Sequence, residues 1–171
     1  PEEVSTDSTD TDTTGSFILV KELAENLKSY EKAHPYYEEI GVVRGNGQVI
    51  TTSKVESVTM GTGRNIKDRD YFQKSIKGEV VVSDVRISDT SGKPVMIISA
   101  PVKIGDTIMG ILYGVVDLPY FTKKFVEPIK IGQSGYIYLF DKEGLVLSHP
   151  DAGKIMKLNM KGTEYGRKML E

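Results

Sequence analysis

The amino-acid sequence predicts an α+β fold in which a long N-terminal helix precedes an antiparallel sheet. Three observations lead to this prediction. Apolar residues recur at helical spacing within residues 16–38. A hairpin pattern with a glycine-rich turn follows in residues 39–52, and three Val- and Ile-rich runs separated by short polar turns occupy residues 80–116. Short turns favour antiparallel neighbours, because a parallel crossover needs about a dozen residues or more.

The N-terminal part of the chain is expected to form a polar segment and then an amphipathic helix. Residues 1–15 are rich in Ser, Thr, Asp and Glu, which predicts a polar loop or a frayed end. Ser16 is suited to cap the helix, and His34-Pro35 is expected to end it, because a residue before proline disfavours helical geometry. The apolar face must pack on the sheet or on the same helix of a partner chain. This face comprises Phe17, Val20, Leu23, Ala24, Leu27 and Tyr30.

Five strands are expected after this helix. The turn at residues 45–47 offers glycines for the positive φ angles of a hairpin. A short helix over residues 70–77, closed by Gly78, is expected before the last three strands. Alternation along the fifth strand places Tyr113 and Asp117 on one face. The strands are predicted at residues 39–43, 48–52, 80–87, 94–102 and 108–116.

Composition argues against several classes of function. A net charge of −2 argues against nucleic-acid binding, which requires a basic face. The chain has no Cys and only two His, so a transition-metal site would have to be built almost entirely from carboxylates. No nucleophile motif or phosphate-binding loop is present either, and we expect no enzyme activity, no metal and no cofactor.

An internal similarity predicts how the chain is divided. The hairpin of residues 40–50 is echoed by residues 136–147 when Gly47 is aligned with Gly144. We therefore expect one complete module followed by the beginning of a second. The resulting division is a polar segment at 1–15, a helix at 16–38, a complete module at 39–130 and an incomplete module at 131–171.

A candidate binding site begins with an arginine beside two aromatic residues. At the mouth of a β-sheet cup, the planar guanidinium of Arg69 would bind a carboxylate, with Tyr71 and Phe72 excluding water. In the alternative interpretation, Arg69 forms a surface ion pair with Asp68 or Asp70 while the two rings fill the core.

Four further residues belong to the candidate site, each with an alternative role. Arg86 and Ser88 would line the same cup or point to solvent. Tyr113 would line the cup or fill the core. Asp117, at the end of the fifth strand, would bind a ligand or cap the helix that follows it.

Several sequence motifs occur in a recognisable order. They are Arg69-Asp70-Tyr71-Phe72, Val82-Ser83-Asp84-Val85, Ser91-Gly92-Lys93-Pro94-Val95, Ser99-Ala100-Pro101-Val102 and Gly110-Ile111-Leu112-Tyr113-Gly114-Val115-Val116-Asp117-Leu118. In this order they resemble the Cache domain, the extracytoplasmic sensor of bacterial and archaeal chemoreceptors and histidine kinases. The stretch from Gly132 to Pro150 is similar to the start of the membrane-proximal module of double Cache sensors.

The resemblance implies a PAS-like five-stranded antiparallel sheet, flanked by the long N-terminal helix, with the ligand held in the membrane-distal module. In amino-acid-sensing members, an Arg followed by two aromatic positions binds the ligand carboxylate, and an Asp at the end of the last strand binds the amine. Arg69, Tyr71, Phe72 and Asp117 fill these places. The chain departs from that pattern, since Tyr71 replaces the preferred Trp, Phe72 replaces the preferred Tyr, and an upstream Tyr expected near Arg64 is absent. A small organic acid bound by Arg69 and Arg86 fits these residues as well as an amino acid.

The resemblance further implies a membrane-anchored signalling receptor, either a chemotaxis receptor or a sensor histidine kinase. Its sensory part would lie outside the cytoplasm, bind an amino acid or an organic acid, and form a homodimer through the N-terminal helix. In an alternative of another class, the module binds no small molecule and serves in structure, dimerisation or docking of a ligand-binding protein. A cytoplasmic cofactor-binding PAS domain is a third interpretation.

Overall fold

A computed structural model describes residues 10–55 and 62–170 and shows the predicted α+β fold. Residues 1–9, part of the segment predicted as a polar loop, lie outside the described residues. The helices are α1 (Asp10–Ala33), α2 (Asp70–Ser75), α3 (Leu118–Phe121) and α4 (Glu164–Leu170). The strands are β1 (Tyr37–Arg44), β2 (Val49–Thr52), β3 (Val81–Val82), β4 (Arg86–Ile87), β5 (Pro94–Ile104), β6 (Thr107–Asp117), β7 (Lys130–Ile131), β8 (Gly135–Tyr136), β9 (Leu139–Phe140) and β10 (Val146–Ser148).

Helix α1 begins at Asp10, earlier than predicted, so Ser16 lies inside the helix and does not cap it. Ser, Thr and Asp lower helix propensity by less than about 0.7 kcal/mol per residue. Such a small cost does not stop a helix that is already stabilised by packing further along the chain. The end of α1 agrees with the prediction, because the helix ends at Ala33, directly before His34-Pro35.

The apolar face of α1 is only partly covered. Val20, Ala24 and Leu27 are buried where the helix contacts β1 and β2. Phe17 and Tyr30, predicted on the same face, are exposed. Ile18 and Leu19 are exposed as well, so the first part of the described helix carries an uncovered apolar surface. Within the described residues, no helix is both long and apolar enough to cross a membrane.

The main sheet is antiparallel throughout, with strand order β2-β1-β6-β5-β3. Strand β4 also pairs with β5, at residues 94–95, whereas β3 pairs with residues 98–99. The predicted strand at residues 80–87 is therefore present as two short strands on one edge of β5. Between them, Ser83 bonds to Ile97 through both its backbone and its side chain, since Ser83 Oγ accepts from Ile97 N at 2.9 Å. This side-chain bond takes the place of a regular ladder bond and explains the interruption.

The hydrophobic core lies between the sheet and α2. The core side chains lie on the face of the sheet opposite to α1, because Ile111 and Tyr113 alternate with Leu112 and Gly114 along β6. Helix α2 ends at Ser75 with Ile76 as its C-cap, two residues before the predicted end, and Gly78 follows with a φ of +105°. The core residues are Val43, Val49, Ile66, Tyr71, Phe72, Val81, Ile97, Ile111 and Tyr113.

The two hairpins that the sequence aligns have the same turn. Gly47 N donates to Arg44 O at 2.9 Å, and Gly144 N donates to Asp141 O at 2.9 Å. Both glycines have positive φ, +86° and +81°. The internal similarity therefore extends from sequence to hydrogen-bond geometry.

The similarity continues beyond the hairpins to the following helix. Asn65 and Asn159 each bridge to the hairpin, and each side chain accepts from the backbone N–H two residues later at 2.8 Å. Helices α2 and α4 then occupy equivalent places, with Thr163 at the position of Arg69. The internal similarity therefore includes the asparagine after each hairpin and the helix that follows it.

A candidate ligand-binding cavity

A cavity of about 340 Å³ lies on the α2 side of the main sheet. Its floor is formed by apolar side chains of β5 and β6, namely Val95, Ile97 and Val115. Its walls come from β1, the segment before α2, the start of α2, β4 and the turn after β4. The other lining residues are Glu38, Glu39, Arg64, Asn65, Ile66, Arg69, Tyr71, Arg86, Ser88, Asp89, Thr90 and Tyr113.

Two arginines line this cavity. Arg69 directly precedes α2, and Arg86 lies in β4. Arg69 is the residue before α2, in an extended conformation, and its side chain makes no capping bond. In the described part of the chain, neither guanidinium has a carboxylate oxygen within 4.0 Å, so the predicted alternative pairing of Arg69 with Asp68 or Asp70 is not observed. The Arg86 guanidinium instead lies 6.0 Å from the centroid of the Tyr71 ring.

The two aromatic residues after Arg69 have different surroundings. Tyr71 is buried and lines the cavity, and burial raises the pKa of its hydroxyl above the ordinary value. Phe72 is 2% exposed in the hydrophobic core and does not line the cavity. Adjacent residues on a helix point about 100° apart, which accounts for this separation.

Tyr113 belongs to both the core and the cavity. Its ring is 1% exposed, and its hydroxyl donates to Glu39 Oε1 and accepts from Arg64 Nη2 at 2.7 Å. Arg64 also binds both Glu39 oxygens, at 2.9 and 3.3 Å. Burial and the adjacent Glu39 carboxylate raise the pKa of Tyr113 far above its ordinary value, so the phenol stays protonated. Tyr113 therefore both fills the core and lines the cavity, which were predicted as alternative roles.

Ser88 lines the cavity and anchors a second carboxylate. Its hydroxyl donates to Glu38 Oε1, and the hydroxyl of Ser91 donates to Glu38 Oε2. Ser88 Oγ also accepts from the backbone N–H groups of Thr90 and Ser91, at 3.1 and 3.2 Å. These bonds hold the turn after β4 against β1.

Asp117 lies outside the cavity lining. Its carboxylate caps α3 by accepting from Tyr120 N at 2.9 Å, as the capping alternative predicted. The other oxygen accepts from Lys93 Nζ at 2.7 Å, and this ion pair raises the pKa of Lys93. The carboxylate is thus already engaged by partners within the chain.

Five of the seven predicted site residues line one cavity, namely Arg69, Tyr71, Arg86, Ser88 and Tyr113. Sequence reasoning missed Glu38, Glu39 and Arg64. The two consecutive glutamates at the start of β1 could have indicated a site. Regular alternation turns one of two adjacent strand residues toward the core, so one carboxylate had to be buried and to need a partner there. Within residues 10–55 and 62–170, no three His, Asp or Glu side chains converge as metal ligands.

Comparison with known proteins identifies the family. The Cache domain family profile, in its dCache form, matches residues 6–169. A probable methyl-accepting chemotaxis protein of Bacillus thuringiensis is 29% identical over 133 residues, which cover 77% of this chain and 19% of the relative. This chain thus spans about a fifth of the length of the curated relatives it matches.

Solved structures share the fold. The ligand-binding domain of the Campylobacter jejuni chemoreceptor Tlp3, in complex with L-norvaline, is 16% identical with a TM-score of 0.65, over 86% of this chain and 59% of that one. The sensor domain of the Vibrio cholerae histidine kinase DctB is 19% identical with a TM-score of 0.59, over 80% of this chain and 50% of that one. These relatives are receptors and sensor domains, and the profile match covers nearly the whole sequence. This chain therefore belongs to the Cache domain family, in its dCache form.

Proposed function

We propose that this chain is the extracytoplasmic sensory region of a membrane-anchored signalling receptor, a chemotaxis receptor or sensor histidine kinase, that binds a small carboxylate-bearing metabolite. The observation that carries the proposal is the pair of guanidiniums, Arg69 and Arg86, which line one cavity without a carboxylate within 4.0 Å in the described part of the chain. A guanidinium presents paired donors that match a carboxylate, so these two side chains form an anion-binding wall.

The size and lining of the cavity suit a small polar metabolite. About 340 Å³ accommodates an amino acid or a short organic acid. The Tyr71 ring beside Arg86 shields the anion-binding wall from water, which strengthens charged hydrogen bonds. A second cavity, of about 370 Å³, lies between α1 and the other face of the sheet, but its lining is mainly apolar and includes no charged side chain of the described residues. This second cavity therefore shows no guanidinium or ammonium that could pair with a carboxylate.

The comparisons support the receptor part of the proposal. The curated relatives are named as methyl-accepting chemotaxis proteins, and this chain covers only 19% of their length. The Tlp3 domain carries L-norvaline, an amino acid. On this basis we assign the sensory role to the first module. In the second module, Thr163 occupies the position of Arg69, and its hydroxyl accepts from Gly166 N at 3.0 Å. The second module therefore has no arginine at this position.

Signalling requires that the ligand favours one of two conformations. The cavity is lined by residues of β1, β5 and β6, and α1 packs on β1 and β2 of the same sheet. A ligand that shifts β1 would therefore also shift α1. We further propose that two chains associate through α1, whose exposed Phe17, Ile18 and Leu19 offer an apolar surface. The change at the cavity would then reach the membrane along the paired helices.

A thermal-shift screen of the 171-residue chain tests the proposal. The panel contains the proteinogenic amino acids, short mono- and dicarboxylic acids, and amines. A ligand at 100 times its Kd stabilises the native state by about 2.7 kcal/mol, which raises Tm by about 5–10 °C for a chain of this size. Arg69→Ala and Arg86→Ala should lose that shift, whereas Arg44→Ala, at an exposed arginine outside the cavity, should keep it. No shift with any carboxylate would contradict the proposal and favour a structural or partner-binding role.

A further inference from the structure

Glu38 is directed into the cavity by a β-bulge. In the pairing of β1 with β6, Tyr37 lies opposite Val116 and Glu39 lies opposite Val115, so Glu38 is an extra residue without a partner. Regular alternation would place consecutive residues on opposite faces, yet Glu38 and Glu39 both line the cavity. Bulges redirect side chains in this way and occur often beside functional sites.

The two glutamates differ in how their charges are balanced. Glu39 forms a bidentate ion pair with Arg64 and accepts from Tyr113, so its charge is compensated inside the chain. Among the residues that the structure describes, Glu38 accepts only from the neutral hydroxyls of Ser88 and Ser91. No Lys or Arg of the described residues lies within 4.0 Å of the Glu38 carboxylate.

Lys93, a candidate cation partner for Glu38, is engaged elsewhere. Lys93 follows the same turn as Ser91, but its Nζ lies 2.7 Å from Asp117 Oδ2. The hydroxyl bonds therefore hold Glu38 in a fixed orientation without neutralising it. Such a preoriented carboxylate is a strong acceptor for a ligand N–H⁺ group.

We infer that Glu38 binds the ammonium group of a zwitterionic ligand whose carboxylate is held by Arg69 and Arg86. This inference rests on the proposed function and adds the ligand class to it, namely compounds that carry both an amino and a carboxylate group. It also moves the amine-binding role away from Asp117, which the family resemblance suggested. Asp117 does not line the cavity, and its charge is already balanced by the ion pair with Lys93.

Matched ligand pairs separate this inference from the proposed function. Calorimetric titration of the 171-residue chain compares L-alanine with L-lactate, L-aspartate with L-malate, and L-leucine with L-2-hydroxyisocaproate. Each pair differs only in the replacement of an ammonium by a hydroxyl. The wild-type chain should bind at least one amino acid about 10- to 100-fold more tightly than its hydroxy acid, the range expected for a hydrogen bond to a charged group.

Three variants locate the amine-binding carboxylate. Glu38→Gln keeps an oxygen that accepts from a serine hydroxyl, and it should weaken the amino acid about 10- to 100-fold while changing the hydroxy acid less than about 3-fold. Asp117→Asn, which alters the capping residue outside the cavity, should change the affinity of both ligands less than about 3-fold. Asp89→Asn, which alters another carboxylate of the cavity, should weaken the amino acid less than Glu38→Gln does. Thermal melts confirm that each variant is folded.

The possible results are distinct. Equal binding of an amino acid and its hydroxy acid by the wild-type chain would overturn the inference and leave the proposed function in place. A larger loss in Asp89→Asn or Asp117→Asn than in Glu38→Gln would overturn the assignment to Glu38. Absence of binding to all six compounds, and to the carboxylate panel used for the thermal-shift screen, would overturn both the inference and the proposed function.

Discussion

Replacing Asp117 with Ala should destabilise the chain by about 1–3 kcal/mol, because one carboxylate performs two structural tasks. The first task is the cap of α3, where Asp117 accepts from Tyr120 N at 2.9 Å. Loss of an N-cap costs about 0.5–2 kcal/mol. The second task is the ion pair with Lys93, whose own side chain is 54% exposed, so this pair contributes at most about 1 kcal/mol.

Two further substitutions separate the tasks. Asp117→Asn keeps a capping oxygen, since Asn and Asp rank alike at this position, and it loses only the ion pair. Lys93→Met removes the same ion pair from the other side and leaves the cap intact. Both should therefore cost less than about 1 kcal/mol and agree with each other within about 0.5 kcal/mol.

Urea denaturation gives the free energy of unfolding of all three variants, and a thermal melt gives the change in Tm. For a chain of this size, about 1 kcal/mol corresponds to about 2–4 °C, so Asp117→Ala should lower Tm by about 2–12 °C. An Asp117→Asn variant as unstable as Asp117→Ala would refute the capping argument. It would show that the charge, rather than the hydrogen bond to α3, carries the stabilisation.

Three other substitutions test the packing and electrostatics of the fold. Tyr113→Phe should cost about 1.5–3 kcal/mol in urea denaturation, because the partly buried Glu39 carboxylate loses a donor; a cost under about 0.5 kcal/mol would contradict the network. Gly110→Ala should lower the free energy of unfolding by more than about 3 kcal/mol, because a Cβ there would lie 2.0 Å from a backbone carbonyl of β1. Gly162→Ala, with open space around it, should lower it by less than about 1 kcal/mol. Equal losses in the two variants would refute the steric argument. Burial, followed by the nearby positive charge of Lys154, holds the pKa of His149 below its ordinary value of 6.5. As pH falls, the imidazole of His149 is protonated in the unfolded chain before it is protonated in the folded chain. The stability contributed by neutral His149 is therefore present above pH 6.5 and is lost as pH drops below it. The wild-type chain should therefore lose more stability between about pH 7 and pH 5 than His149→Gln, and equal losses would contradict this assignment.

Much of the fold follows from turn chemistry and apolar spacing. The short polar turns between the last strands correctly predict antiparallel neighbours, and the hairpin glycines Gly47 and Gly144 mark two equivalent turns. The family resemblance is confirmed by the profile match over residues 6–169. These features depend on local backbone geometry, which residue types specify directly.

The differences from prediction arise where tertiary contacts override local preference. Helix α1 extends back to Asp10 through a polar segment that favours helix only weakly. The strand predicted at residues 80–87 is divided because the side chain of Ser83 bonds to the neighbouring strand. Neither effect can be read from periodicity, since both depend on contacts with distant parts of the chain.

The candidate site was predictable in its residue types and less so in its geometry. Arg69 was predicted to line the cavity because arginine beside aromatic rings suits a carboxylate, and Arg86 because it lies on the strand that follows this cluster. Phe72 and Asp117 each had an alternative role, in the core and at a helix cap, and their side chains take that alternative. Glu38 was missed because the predicted strand began at residue 39, and because a one-residue bulge brings Glu38 to the same cavity as Glu39. Residue types thus identify the chemistry of the cavity, and the register of β1 decides which carboxylates reach it.

The central claim is that this cavity holds the carboxylate of a small metabolite. A crystal structure of the 171-residue chain with the panel compound that gives the largest thermal shift tests the claim most directly. We expect the ligand carboxylate within hydrogen-bonding distance of Arg69 or Arg86, between the sheet floor and Tyr71. If the compound carries an amine, its nitrogen should lie within hydrogen-bonding distance of Glu38. A ligand bound in the apolar cavity beside α1, or outside both cavities, would contradict the account.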